Sequence, residues 1–209
     1  MKNLLIKRPK NNDEGVEYIE MPLEELLTSE PTISSEIEKK QIENRQLYLY
    51  GEIEDENIYS LIQKIRYLDS LNDEPITLFI NSFGGTVYSG LALVDCIQSC
   101  ESPIIGVAEG CIMSMAVAVL AACDIRVGGK YVQFMVHNVS GMFGNMSFKD
   151  INVQQQHLKT ITEQYCEILS RASNLTTQQW YTKLYDKDTY FTAEQALEYG
   201  LLNELNPLQ

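Results

Sequence analysis

From Arg45 onward, short apolar runs alternate with stretches of helical period, and few folds accommodate that alternation. The runs are Leu47-Tyr48-Leu49-Tyr50, Ile76-Thr77-Leu78-Phe79-Ile80, Ile104-Ile105-Gly106-Val107-Ala108 and Val132-Gln133-Phe134-Met135-Val136. Most are bounded by Gly, Pro, Asn or charge, the pattern of buried strands. Between and after them, Ile58, Leu61, Ile62, Ile65 and Leu68 recur at spacings of three and four. So do Leu91, Val94 and Ile97, and later Ile151, Leu158, Ile161, Tyr165 and Ile168. A helix that returns the chain to a new strand makes parallel neighbours, so the expected fold class is α/β with a largely parallel sheet. Near the end, Thr192-Ala193-Glu194-Gln195 has the form of a capping box, and Gly200 closes a short helix before Leu201-Leu202.

The stretch before Arg45 reads differently. Asn11 to Lys40 is acidic and rich in Ser, Thr and Glu, Pro22 and Pro31 interrupt it, and islands such as Leu26-Leu27 show no sustained period. It reads as an acidic N-terminal arm, mobile or ordered by a partner, over residues 1–44, followed by one domain over 45–209.

Charge and composition exclude several classes of function. Twenty-nine acidic against 16 basic side chains give a net charge of −13, which repels phosphate backbones and anionic membranes, so neither nucleic acid nor membrane is an expected partner. The opening segment has only Leu4-Leu5-Ile6 as a continuous apolar run, and Met115 to Cys123 is too short to span a bilayer. The expected location is cytoplasmic. Five cysteines without C-x-x-C spacing read as buried free thiols. The two histidines, His137 and His157, have no metal-ligand spacing, so a protein-built metal site is not expected.

Three features can carry chemistry. Asn81-Ser82-Phe83-Gly84-Gly85-Thr86 follows the strongest strand and precedes a helix, and its two glycines let backbone approach a ligand with N–H groups turned outward. The segment lacks both the G-K-[ST] ending of a P-loop and the G-x-G-x-x-G spacing of a dinucleotide site, and its commonest role is a strand-to-helix turn. Ser114 stands between an apolar strand and the alanine-rich run Met115 to Ala122. A helix's first turn favours developing negative charge, which suits a nucleophile, although a capping serine is the commoner occupant. A nucleophilic serine needs a base and the base needs an orienting group. His137 ends the strand Val132 to Val136, 23 residues past Ser114, where a neighbouring parallel strand can bring its ring to the hydroxyl. His157 sits among Gln154, Gln155, Gln156 and Lys159 and reads as a solvated helix residue. For the carboxylate, Asp186 and Asp188 precede the last capped helix, and each taken alone reads as a turn residue.

Taken in order, these segments resemble the proteolytic subunit of the Clp protease family, serine peptidases with the crotonase-like fold. The likeness runs from about Arg45 to Leu205. Asn81-Ser82-Phe83-Gly84-Gly85 matches the family's N-S-P-G-G, with Phe83 for proline. Gly110-Cys111-Ile112-Met113-Ser114-Met115-Ala116 matches G-x-A-A-S-M-G at the serine and the methionine after it. Met135-Val136-His137-Asn138-Val139 keeps the first part of M-I-H-Q-P, and Asp188 to Leu201 matches D-x-F-[ML]-S-A-x-E-A-x-E-Y-G-L, a register that selects Asp188 over Asp186.

The resemblance implies a crotonase-like α/β fold with largely parallel sheets and a protruding handle helix. It implies a serine endopeptidase with Ser114 as nucleophile, His137 as base and Asp188 as orienting carboxylate, and with the backbone N–H groups of Gly85 and Met115 as oxyanion hole. No cofactor is implied. The expected assembly is stacked heptameric rings enclosing the sites, with a possible AAA+ unfoldase feeding unfolded polypeptide. Residues 1–44 would be the arm or axial segment, Ser140 to Phe148 and Asp150 to Ala172 the ring-to-ring handle. The order Ser, His, Asp and the lack of a G-x-S-x-G elbow set the chain apart from α/β-hydrolases. Three other readings share some of these residues: a crotonase-like acyl-CoA enzyme, a non-catalytic ring subunit and a Ser-Lys peptidase using Lys130.

Overall fold

Contacts divide the chain into two units, Met1–Lys40 and Gln41–Gln209. The structure is a computed structural model that describes residues 3–9, 16–22, 32–139, 148–185 and 187–205. Within the first unit, β1 (Asn3–Pro9) and β2 (Val16–Pro22) pair antiparallel, Asn3 opposite Pro22 and Pro9 opposite Val16. The sequence reading, an arm mobile or ordered by a partner, assigns no strands here. The hairpin escaped it because each strand is seven residues long and its strand formers, such as Val16, Tyr18 and Ile19, alternate too briefly to set a period. Helix α1 (Ile33–Glu43) begins where the hydroxyl of Thr32 accepts the Ser35 N–H at 3.2 Å, and it buries none of its residues.

The second unit has the α/β architecture that the alternation requires. Strands β3 (Gln46–Ile53), β4 (Ile76–Gly85), β5 (Ile104–Met113), β6 (Ile125–Gly128) and β9 (Glu204–Leu205) lie side by side in that order, each pair parallel. Helices α2 (Asp55–Leu71) and α3 (Val87–Gln98) make the crossovers, and α2 buries Ile58, Leu61, Ile65 and Leu68, as its period predicts. Helix α4 (Met115–Ala122) is buried from Met115 to Ala121, consistent with a segment that has no polar face.

Strand β5 forks. Its first part, Ile105 to Ala108, pairs with β6, whereas Cys111 to Met113 pair with β7 (Gln133–Val136). Gly110 lies at the fork with φ 55°, and a Cβ there would stand 2.7 Å from the Asn81 side-chain oxygen. That oxygen accepts the Cys111 N–H at 3.1 Å, so Asn81 supplies an acceptor where the β4·β5 register shifts. The fork gives the sheet a side branch: β7 pairs with the end of β5 and, antiparallel, with β8 (Thr189–Thr192).

After β7 comes α5 (Phe148–Arg171), 24 residues and hence about 36 Å long. Residues 149–160 are exposed apart from half-buried Leu158, while Ile161, Tyr165, Cys166 and Leu169 are buried. This matches the protruding helix the resemblance implied, within two residues at its start. The preceding segment, read as part of the handle, lies outside the described residues from 140 to 147. Helix α6 (Thr177–Tyr185) and α7 (Ala193–Glu198) complete the unit, α7 carrying the expected capping box between Thr192 and Gln195. Trp180 of α6 is fully buried, donates its indole N–H to Ser173 Oγ at 2.9 Å, and packs on Phe191 and Tyr199.

Candidate active site

Four strand or helix ends converge beside Ser114. Met113 of β5 pairs with Met135 of β7, so Ser114 and His137 leave adjacent parallel strands at nearly the same level. The Ser114 N–H donates to the Met135 carbonyl at 2.8 Å, which locks the two strand ends together. The His137 Nε2 lies 2.7 Å from Ser114 Oγ, hydrogen-bond distance for proton transfer from hydroxyl to imidazole. Both residues are half-buried.

The backbone of Ser114 is strained. Its φ of 51° and ψ of −125° fall outside the regions open to residues with a Cβ, a conformation that typically costs about 1–3 kcal/mol and is held by its surroundings. That turn points the hydroxyl out of β5 while α4 starts at the next residue. The N–H of Met115 belongs to the first turn of α4 and has no partner four residues back within its helix, at the end where the peptide dipoles favour negative charge.

Gly84 and Gly85 bring β4 against this turn. Segment Asn81 to Gly85 is the paired end of β4 rather than a turn, with Ile53 of β3 opposite Gly85. The extended apolar run Ile76 to Ile80 continues into it because the buried Ser82 keeps the alternation and accepts the Gly84 N–H at 3.1 Å. Gly84 has φ 89°, and a Cβ on it would stand 2.8 Å from the Met113 carbonyl and 2.9 Å from the Met115 nitrogen. Gly85 has φ 148°, and its Cβ would meet the Ile53 carbonyl at 2.3 Å. Only glycine allows both the conformation and the approach. Phe83, which replaces the family's proline, points outward and is 69% exposed.

A cavity of ≈ 100 Å³ opens at the junction, lined by Gly85, Val87, Ser114, Met115, His137, Asn138, Val139 and Tyr165. It gathers four of the five residues the sequence singled out. Asp188 is the fifth: it is exposed, and no hydrogen bond joins it to His137. It directly precedes Thr189, the partner of Val136 at the end of the β7·β8 pair, as His137 directly follows Val136. Asp186 lies outside the described residues.

The remaining candidates are engaged elsewhere. The ring of His157 meets the Tyr88 hydroxyl at 2.7 Å on an exposed surface. The ammonium of Lys130 sits 5.8 Å from the centre of the Tyr131 ring. All five cysteines are free, and burial raises every thiol, Cys123 to about 12 and Cys166 to about 11, so they stay protonated and poorly nucleophilic at neutral pH.

Sequence reasoning placed Tyr165 on a helical period and missed that its hydroxyl reaches the Ser114 carbonyl, 2.8 Å away. It also missed Asn138, whose side-chain oxygen accepts from the Thr162 hydroxyl of α5 at 3.0 Å. Both links are long-range, and helical period reports only which face of a helix is buried.

Among the described residues no helix is long and apolar enough to cross a membrane.

The chain is similar to known proteins over most of its length. The family model described as Clp protease matches residues 29–207. The ATP-dependent Clp protease proteolytic subunit of Carsonella ruddii (strain PV) is 32% identical over 170 residues, covering 79% of this chain and 86% of its own. The ATP-dependent Clp protease proteolytic subunit 3 of Synechococcus sp. (strain CC9605) is 33% identical over 164 residues, 77% of this chain and 82% of its own. In fold, a point mutant of ClpP1 from Listeria monocytogenes superposes with a TM-score of 0.75 at 24% identity, covering 83% of this chain and 97% of the other. By family match, sequence identity and fold, this chain belongs to the Clp protease family and is a serine-type peptidase subunit.

Proposed function

We propose that Ser114, His137 and Asp188 hydrolyse peptide bonds through an acyl-enzyme. The observation that carries this is the 2.7 Å approach of His137 Nε2 to Ser114 Oγ at a strained strand-to-helix turn. Ser114 Oγ attacks the scissile carbonyl while His137 takes its proton, and the imidazolium then protonates the leaving amine. Water, deprotonated by the same imidazole, releases the acyl group. Asp188 holds the imidazole tautomer and stabilises its cation; its place directly before Thr189, whose partner Val136 directly precedes His137, supports this role. The N–H groups of Gly85 and Met115 receive the oxyanion, a reading supported by their shared cavity. An acyl-CoA reading needs no serine–histidine pair and leaves this contact without a purpose.

The substrates are unfolded polypeptides, hydrolysed inside a homo-oligomeric chamber of stacked heptameric rings in the cytoplasm. The exposed first half of α5, with Ile151 and Val153 open to solvent, supports burial against other subunits. An ATP-driven unfoldase delivers substrate. The names of the relatives, ATP-dependent proteolytic subunits, support that partner class.

The test is cleavage of a fluorogenic peptide and an unfolded protein by the assembled protein. Ser114→Ala and His137→Ala are expected to abolish both while leaving assembly intact. Cleavage surviving Ser114→Ala, or acyl-CoA turnover that needs no Ser114, would overturn the reading.

A further inference from the structure

Among the described residues, Tyr165 is the one side chain of α5 that hydrogen-bonds the backbone of the nucleophile. A buried phenol is costly unless its hydroxyl is bonded, and an aliphatic residue would satisfy the helical period equally well. Here the hydroxyl donates to the Ser114 carbonyl at 2.8 Å, and that carbonyl also accepts the Val117 N–H at 3.0 Å. Burial pushes the phenol's pKa upward, so it remains a donor across the physiological range.

The Ser114 carbonyl and the Met115 N–H belong to one planar trans peptide unit and point in opposite directions. Fixing the carbonyl on the α5 side therefore fixes the N–H on the other. On that side stands the glycine pair: a Cβ on Gly84 would lie 2.9 Å from the Met115 nitrogen. The ψ of −125° at Ser114 sets the orientation of this unit, and it lies in a region the residue would leave if unsupported.

We propose that Tyr165 is a positioning residue for the oxyanion hole: by gripping the Ser114 carbonyl from α5, it aims the Met115 N–H into the cavity shared with Gly85. This rests on the reading of Ser114 as nucleophile and extends it to a side chain outside the triad. A consequence is that displacement of α5 at this turn is felt directly by the oxyanion donor, without passing through Ser114 Oγ or His137.

The test compares wild type with Tyr165→Phe, which keeps the ring and removes the hydroxyl. Loss of one such hydrogen bond corresponds to a factor of about three to ten, expected as a fall in kcat on a peptide substrate with KM unchanged. A peptide aldehyde, whose serine adduct carries the oxyanion, should bind more weakly by the same factor, whereas a non-covalent product peptide should bind as before. A purely structural role would lower the melting temperature and leave kcat per folded molecule and aldehyde affinity untouched, and that result overturns the proposal. If Tyr165→Phe folds poorly, Tyr165→Met provides the same comparison with a flexible apolar filler. Wild type that neither turns over peptide nor binds the aldehyde would instead sink the nucleophile reading, so the two failures are distinguishable.

Discussion

His137 and Asp188 each lie one residue outside the last register pair of β7 and β8, Val136 opposite Thr189. Two residues back along the same ribbon, Phe134 and Phe191 are direct cross-strand partners whose rings stack with centroids 5.2 Å apart. This buried pair fixes the register, and a one-residue slip would turn the Asp188 side chain to the opposite face of the ribbon.

Asp188→Asn should therefore lower kcat by about 10³–10⁴ with little change in melting temperature, because the side chain is exposed and its work is done on the imidazole. Steady-state kinetics beside calorimetry checks this. Unchanged kcat would remove Asp188 from the mechanism.

Gly84→Ala is expected to cost both stability and activity. The new methyl would sit at φ 89° and within 2.9 Å of three atoms of the Met113–Met115 turn, so relief requires movement of the nucleophile's own backbone. A stability loss of more than about 1 kcal/mol is expected from the positive φ alone. Denaturant unfolding and peptide turnover measure the two effects. A variant of full activity would show that the turn is not held by this glycine.

A pH effect arises far from the site. Asp69 accepts the Ser102 N–H at 2.8 Å, and that bond holds its carboxyl below the ordinary value of 3.8. A lowered folded-state pKa stabilises the fold above the unfolded value, and the contribution disappears as pH falls through the folded one. The melting temperature of wild type should exceed that of Asp69→Asn at neutral pH, and the gap should close below about pH 4. A gap independent of pH would contradict this.

The parallel sheet was legible because Ile76–Ile80 and Ile104–Ala108 are largely apolar runs separated by stretches of helical period, the pattern of parallel strands joined by crossover helices. Their full extent was not: β4 runs to Gly85 and β5 to Met113, since the buried Ser82 accepts the Gly84 N–H and the Cys111 N–H finds its acceptor in the Asn81 side chain of another strand. Asn81 and Cys111 are 30 residues apart, beyond any short window of sequence. Ser114 and His137 could be paired because the order of strand, helix and strand brings β7 beside β5, which topology alone suggests. Tyr165, by contrast, is 51 residues from Ser114 and looks like any other core position of a helix. The hairpin of β1 and β2 was missed because its strands are short and the charge of the segment dominates its composition.

The central claim is that His137 activates Ser114. Reaction of the assembled protein with a fluorophosphonate, followed by intact mass and peptide mapping, tests it most directly. The account predicts one adduct per chain, on Ser114, absent in Ser114→Ala and formed at least about 10²-fold more slowly in His137→Ala. Equal labelling of wild type and His137→Ala, or no adduct on Ser114, would contradict it.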